Sequence, residues 1–431
     1  MQRASLLLAL AVALPLPASA QSMFRGNPAH TGVYATEGPK QTPAIKWAFH
    51  TGGPVVSSPS VADAVAYVGS DDHQLYAVDL ATGKEKWRFA TGAMVRSTPA
   101  VAGGLVYFGS YDGFFYAVDA ASGQLKWKFA TPGEHRFEAK GLHGYFPRTQ
   151  TVPDFWDLYL SSPVVADGVV YFGSGDGNCY ALDAATGAKK WAFETKGVVH
   201  SSPALVDGTL YFGSWDTYLY AVDAATGREK WKFKTGEDPV NFNQTGIQSS
   251  PAVVDGVVYF GCRDSNVYAV DAATGKEKWR YKITWVNASA AVFNGQVYFG
   301  TSIPAFFVGL DAKTGKEQFK FDARVPVFSS PAIAGDFAYF GSFNGSLYAV
   351  NLQDGKLAWE FQTEAAKRNA LGAIAADGKL NYPVVFTANS FEDMYAASVK
   401  LFSLGSIVSS PLVVEGVIYV GSADGNLYAL E

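Results

Sequence analysis

The sequence repeats along nearly its whole length, and this repeat limits the possible folds more than any other feature. The nine residues DAATGKEKW stand at 271–279. Near copies begin at Asp79, Asp119, Asp183 and Asp223, and weaker copies begin at Asp311 and Asn351. Pro59 and Pro99 open two successive units and lie 40 residues apart. Such a period is typical of repeat architectures, in which each unit buries its apolar face against its neighbours.

Each unit contains four short segments that are typical of strands. In the fourth unit they are residues 203–206, 209–213, 218–222 and 229–233, which we call strands A to D. Asp207 and Gly208 form a hairpin turn between A and B, and Asp223 opens a tight turn that ends at Gly227. In strand D, Trp231 alternates with lysines, which predicts one packed and one solvated face. A four-strand unit of this length is typical of a propeller blade.

The unit count predicts an all-β chain folded as an eight-bladed β-propeller with four antiparallel strands per blade. Seven units open with Ser-Pro or Thr-Pro, and the remaining one has Ser289 and Ala290 there. The chain ends after strand C of the last unit, whereas residues 45–49, around Trp47, have an isolated strand-D pattern. We therefore expect this N-terminal strand to close the ring, because closure leaves no open sheet edge. The propeller would then span residues 45–431, after an N-terminal extension at 21–44.

Three inserts interrupt the repeat, at residues 132–159, 237–247 and 364–406. Each follows a strand D and precedes the next strand A, so we expect all three on one face of the propeller. Long loops on a rigid scaffold are common places for function. In the third insert, Ser390 begins a capping-box pattern, and apolar residues then follow at helical spacing, which predicts a helix. These residues are Phe391, Met394, Tyr395, Val399 and Phe402.

The first 20 residues predict export. A basic start with Arg3 precedes an apolar run, and Ala18-Ser19-Ala20 is a small-residue cleavage site, so residues 1–20 read as a signal peptide cleaved after Ala20. The run is too short for a membrane span, and the residue after the site is not a cysteine, so we expect neither a span nor a lipid anchor. We predict a periplasmic or secreted protein. The net charge of −5 and the lack of a basic run do not favour nucleic acid as a partner.

The repeat register predicts two rings of residues at the mouth of the central channel, on the face that carries the inserts. One ring precedes the Ser-Ser or equivalent of each strand A: Val56, Arg96, Leu160, His200, Gln248, Asn287, Phe328 and Val408. The other ring lies in the B-to-C loops: Asp71, Tyr111, Gly175, Trp215, Arg263, Ile303, Phe343 and Ala423.

Seven ring residues are candidates for binding a cofactor or a small ligand: Arg96, Tyr111, His200, Trp215, Gln248, Arg263 and Asn287. A planar anionic ligand would stack on an aromatic ring and pair its carboxylates with arginines. Two alternatives remain open. The polar residues could simply contact water in the channel, or Tyr111, Trp156 and Trp215 could bind a sugar polymer. No residue is identified as catalytic.

Metal binding is a weaker expectation than ligand binding at the channel mouth, because the sequence shows no familiar ligand spacing. Asp238, Asn241 and Asn243 in the second insert carry the oxygen ligands that calcium prefers, and they are our candidates for a metal site. His135 and His143 in the first insert fit no familiar zinc spacing.

The repeated AVDAATGKEKW and YFGSxDG segments resemble the pyrroloquinoline-quinone (PQQ) repeat family, and the resemblance covers essentially the whole chain after residue 20. The family includes quinone-dependent alcohol dehydrogenases and the outer-membrane assembly factor BamB. For a dehydrogenase, the resemblance implies PQQ with calcium as the cofactor. However, those enzymes carry an adjacent cysteine pair, whereas Cys179 and Cys262 stand apart here, and the chain has no Cys-x-x-Cys-His haem motif.

The leading hypothesis is therefore a secreted or periplasmic propeller that acts as a binding or scaffold module, with no cofactor assigned with certainty. It would bind a protein partner, or a small planar or anionic ligand, on the face of the inserts. The alternative is a PQQ-dependent dehydrogenase.

Overall fold

The computed structural model describes residues 21–236 and 246–431. Eight antiparallel sheets of four strands confirm the predicted eight-bladed propeller, and one sheet gains a fifth, parallel strand at its inner edge. The predicted signal peptide lies outside the described residues, as do residues 237–245 of the second insert.

The N-terminal strands and the first four blades, with the insert hairpin between blades two and three, comprise β1 (Val33–Tyr34), β2 (Ile45–His50), β3 (Ser60–Ala62), β4 (Val65–Gly69), β5 (Gln74–Asp79), β6 (Glu85–Ala90), β7 (Ala100–Ala102), β8 (Leu105–Gly109), β9 (Phe114–Asp119), β10 (Leu125–Ala130), β11 (Glu138–Lys140), β12 (Thr151–Pro153), β13 (Val164–Ala166), β14 (Val169–Gly173), β15 (Asn178–Asp183), β16 (Lys189–Glu194), β17 (Ala204–Val206), β18 (Thr209–Gly213), β19 (Tyr218–Asp223) and β20 (Glu229–Lys234). The other blades comprise β21 (Ala252–Val254), β22 (Val257–Cys262), β23 (Asn266–Asp271), β24 (Glu277–Lys282), β25 (Ala291–Phe293), β26 (Gln296–Gly300), β27 (Phe306–Asp311), β28 (Glu317–Asp322), β29 (Ala332–Ala334), β30 (Phe337–Gly341), β31 (Ser346–Asn351), β32 (Leu357–Gln362), β33 (Leu412–Val414), β34 (Val417–Gly421) and β35 (Asn426–Leu430). The third insert contains the helices α1 (Glu364–Arg368), α2 (Tyr382–Val385) and α3 (Phe391–Phe402).

The ring is closed by the N-terminal strand, as predicted. Strand β2 pairs antiparallel with β35, so the last sheet has the order β2-β35-β34-β33. Trp47 lies opposite Ala429 in this pairing. The last blade is therefore built from one N-terminal strand and three C-terminal strands.

Neighbouring blades are joined by a tryptophan contact that recurs around the ring. Trp231 donates its indole N–H to the carbonyl of Ala272 in the next blade, at 3.0 Å. Its ring packs on Gly275, where an added Cβ would lie only 2.7 Å from the indole. Gly275 also has a φ of +70°, which disfavours other residues. The repeated Thr-Gly turn is thus explained by both backbone conformation and packing.

A belt of hydroxyl groups surrounds the propeller axis. The backbone N–H of one blade donates to the Ser hydroxyl of the next blade over 2.8–3.2 Å. The donor and acceptor pairs are Thr98–Ser162, Ser162–Ser202, Ser202–Ser250, Ser250–Ser289, Ser289–Ser330, Ser330–Ser410 and Ser410–Ser58. They enclose a cavity of only about 30 Å³. The serine of the Ser-Pro signature therefore bonds each of these blades to its neighbour.

The N-terminal extension lines the other end of the channel. The carbonyl groups of Ser22, Pro28 and Ala29 accept hydrogen bonds from the strands A of three different blades. Arg25 is buried and donates to the carbonyls of Pro331 and Ala290. The channel is thus filled near the A-to-B turns.

The first and third inserts contact each other. Phe155 stacks on Phe391 with ring centroids 4.6 Å apart, and the Phe146 N–H donates to the Asn389 carbonyl. The predicted helix is confirmed as α3, with the Ser390 side chain accepting from the Asp393 N–H at 3.1 Å. Within residues 21–236 and 246–431, no helix is long and apolar enough to cross a membrane.

The buried stripe of α3 differs from the apolar pattern in the sequence. Ala397 and Leu401 are the buried residues of the helix, whereas Tyr395 and Val399 are 56% and 50% exposed. The helix packs on the propeller along one narrow face, so two large apolar residues remain on its outer side.

Candidate functional site

The predicted ring residues meet at the channel mouth, where the first insert fills the space between them. Arg96, His200, Gln248 and Asn287 are 2–6% exposed, and Arg263 is fully buried. The insert supplies carbonyl and carboxylate oxygens to Arg96, His200, Gln248 and Arg263. Three buried polar atoms of the candidate residues have no hydrogen-bond partner: Asn287 Nδ2, Trp215 Nε1 and the Tyr111 hydroxyl. The polar groups of the mouth are therefore bonded mainly to protein.

His200 lies between two carboxylates of the insert. Its Nδ1 is 2.8 Å from Asp157, and its Nε2 is 2.8 Å from Glu134. Asp157 also accepts from Gln248 Nε2 and from the Phe137 N–H, each at 2.8 Å. Burial alone would lower the pKa of His200, but the two carboxylates raise that pKa well above 6.5. His200 is held as a cation that donates from both ring nitrogens.

Arg263 is the centre of a second buried network. Its Nη1 donates to Asp154, its Nε donates to Asn287 Oδ1 at 2.9 Å, and its Nη2 donates to the Trp156 carbonyl at 2.9 Å. Asp154 is also 3.0 Å from His143 Nε2. Burial would raise the pKa of Asp154, but Arg263 and then His143 hold that pKa below its usual range. The guanidinium charge is thus neutralised within the protein.

Arg96 is paired in the same way, although its partner belongs to the second ring. Its guanidinium donates to both oxygens of Asp71, at 2.8 Å and 2.6 Å, and to the Leu158 carbonyl at 3.2 Å. Burial alone would lower the pKa of Arg96, but the charge and hydrogen bonds of Asp71 raise it above its usual value.

The aromatic candidates are covered to different extents. Trp215 is stacked between Phe137, with centroids 4.2 Å apart and an interplanar angle of 7°, and the Arg263 guanidinium, 4.5 Å from the ring centre. Tyr111 is half-buried, with Arg136 at 5.9 Å and His200 at 6.4 Å from its ring. The Trp215 ring is therefore already covered by Phe137 and Arg263.

This geometry does not fit PQQ. A planar tricarboxylate needs free cationic groups and a free aromatic face. Here Arg96 is paired with Asp71, Arg263 with Asp154, and Phe137 covers Trp215. Binding the cofactor at this mouth would require the insert to leave and the buried ion pairs to break.

No metal site is found in the part of the chain that the structure describes, since it contains no group of three or more His, Cys, Asp or Glu residues that could hold an ion. The candidates Asp238, Asn241 and Asn243 lie outside the described residues. Cys179 and Cys262 are both buried, and neither forms a disulfide.

The sequence prediction missed four residues of the first insert: Glu134, Phe137, Asp154 and Asp157. A usable signal was the segment PDFWD at 153–157, where two carboxylates stand among aromatic residues just before a strand A. A carboxylate in such an apolar setting must find a partner when it is buried.

The comparisons with known proteins agree with the fold. The family model described as outer membrane protein assembly factor BamB, a PQQ-repeat family, matches residues 33–139, 154–287 and 263–382. The chain belongs to this family of PQQ-repeat propellers. A quinoprotein ethanol dehydrogenase from Pseudomonas aeruginosa is 32% identical over 129 residues, which are 27% of this chain and only 20% of that enzyme.

Two solved structures show the same fold at low identity. BamB from Moraxella catarrhalis is 16% identical with a TM-score of 0.66, covering 90% of this chain and 99% of that one. A quinohemoprotein alcohol dehydrogenase from Comamonas testosteroni is also 16% identical, with a TM-score of 0.69, covering 95% of this chain and 80% of that one. The fold alone does not separate a scaffold from an enzyme.

Proposed function

We propose that this chain is an exported binding or scaffold propeller that holds a protein partner on the face of its first and third inserts. The observation that carries this proposal is the filled channel mouth, where Glu134, Asp154 and Asp157 already bond the side chains that a small anionic ligand would need. The signal-like residues 1–20 and the family description support a location in the cell envelope.

The distribution of exposed apolar residues supports a protein partner. Of the nine large apolar residues exposed in the described part of the chain, six belong to the first or third insert or to a B-to-C loop. They are Phe146, Ile303, Leu371, Tyr382, Tyr395 and Val399. The other three are Ile45, Leu125 and Leu357, which lie singly on strands D of different blades. A concentration of exposed apolar residues on one face is typical of an interaction surface.

A quinone-dependent dehydrogenase is the second candidate, because one relative is a quinoprotein ethanol dehydrogenase. The paired state of Arg96 and Arg263 argues against it. A sugar site built on Trp215 is disfavoured for a similar reason, since Phe137 covers that ring.

Site-specific photo-crosslinking tests the proposed interaction face in the cells that make the protein. A photoreactive residue in place of Tyr395 should give one discrete protein adduct. The matched control replaces Leu357, which is 42% exposed on a strand D and should give none. Equal adducts at both positions, or none at Tyr395, would contradict the proposal.

A further inference from the structure

A cavity of about 150 Å³ lies beside the channel mouth, between the third insert and the loops of blades six and seven. Five aromatic rings contribute to its wall: Trp156, Trp285, Phe328, Phe343 and Phe386. Ser302 is the one polar residue among the eleven that line it. The cavity adjoins the Arg263 network, because Arg263 contacts the wall residues Trp156 and Trp285 but does not itself line the cavity. No sequence pattern predicted it.

One part of the cavity wall packs tightly against the propeller loops, and the rest comes from the first and third inserts. Phe328 and Phe343 are 3% and 1% exposed, with ring centroids 4.9 Å apart in an edge-to-face arrangement. Trp156 makes the same kind of contact with Phe343 at 5.7 Å. A preformed apolar cavity binds with little loss of conformational freedom.

Size and charge define the class of occupant. An apolar cavity of similar volume, about 150 Å³, accommodates one benzene molecule in another protein. A carboxylate would find no cation in the wall. A cation bound against Trp285 would be repelled by Arg263, because the Arg263 guanidinium already lies 5.4 Å from the centre of that ring. The cavity therefore suits a single neutral ring.

The residues around the cavity opening indicate whether the bound ring belongs to a free molecule or to a peptide side chain. Ile303 belongs to the wall and is 46% exposed, and Tyr382 is 47% exposed and contacts the wall residue Phe386. Met394 of α3 also lines the cavity. A free ring-sized molecule would leave this apolar rim in water, whereas a peptide would cover it.

We propose that the cavity binds a phenylalanine-like side chain of a protein partner, which inserts its ring while the flanking peptide covers the rim. This inference rests on the proposed binding function and adds the chemistry of the contact.

The cavity is tested first with the purified protein and 4-fluorotoluene, observed by ¹⁹F NMR. The wild type should bind this neutral probe and should not bind 4-fluorobenzylammonium. Met394→Trp, which places an indole in the cavity, should abolish binding. The matched control Glu392→Trp adds the same indole at an exposed position of α3 and should bind as the wild type does. Binding retained in Met394→Trp, or equal binding of the ammonium probe, would overturn the proposal.

A second assay tests whether the bound ring can be a peptide side chain. The acetylated peptides GAFAG and GAAAG compete with 4-fluorotoluene for the cavity. The phenylalanine peptide should displace the probe at a concentration about tenfold or more below that of the alanine peptide, because the buried ring adds apolar contact. If 4-fluorotoluene binds but the two peptides compete equally, the ring comes from a free small molecule and the partner side chain is refuted. These assays use no cellular partner, so their failure is distinct from a failure of crosslinking at Tyr395.

Discussion

Replacing Asp154 by Asn should destabilise the protein more than the loss of any surface ion pair. Both side chains of the Asp154–Arg263 pair are fully buried. Asp154 accepts from the Trp156 N–H at 2.9 Å with one oxygen and from Arg263 with the other. An Asn amide has only one oxygen, so in either orientation its NH₂ group would face one of these two donors. Leaving a buried charge without its partner costs about 3–5 kcal/mol. We expect a decrease of this size in the free energy of unfolding, measured by urea titration with circular dichroism.

The matched control is Glu277→Gln, which breaks an exposed pair with Arg280 on strand β24. That pair should contribute less than about 1 kcal/mol. Hydrogen exchange adds a local measurement, because Asp154→Asn should raise exchange in residues 134–158 before it does so in the blades. If Asp154→Asn costs no more than the control, Asp154 is not a buried partner of Arg263 and the proposed filling of the mouth is wrong.

Two further predictions concern the blades and the N-terminal extension. Gly275→Ala should lower the free energy of unfolding by about 1–3 kcal/mol more than Gly256→Ala, because both glycines have a φ near +70° but only the Cβ at 275 meets Trp231; equal melting curves would refute the tryptophan contact. Burial, with a smaller contribution from Arg25, lowers the pKa of His30 from 6.5 to about 3. The unfolded chain therefore takes up this proton below pH 6.5 and the folded chain does not, so stability should fall by up to about 1.4 kcal/mol per pH unit between pH 6.5 and 3. His30→Asn should flatten that dependence in urea titrations, and an unchanged slope would show that His30 titrates normally when folded.

The blades could be predicted because their information is local and repeated. The Asp-to-Trp turn and the Ser-Pro signature each occur at a fixed place in the unit, so even the degenerate copy at Ser289 could be aligned. The closing role of Trp47 followed from one unpaired strand pattern, and the structure confirms it. Helix α3 was also predicted, because its cap and its spacing are local signals.

The partners of the ring residues could not be predicted in the same way. The register placed His200 and Arg263 at the mouth, but their bonds to Asp157 and Asp154 join residues 43 and 109 positions apart. The first insert has no repeat against which such contacts could be aligned. The cavity beside α3 depends on which side of that helix faces the propeller, and apolar spacing alone suggested a side that includes the exposed Tyr395.

The most direct test of this account is a titration of the purified protein with PQQ in the presence of calcium, followed by its absorption spectrum and by dye-linked oxidation of ethanol. Because the first insert already pairs with Arg263 and covers Trp215, we predict no saturable uptake and no turnover. Stoichiometric uptake with alcohol oxidation would contradict the account and would identify the chain as an enzyme.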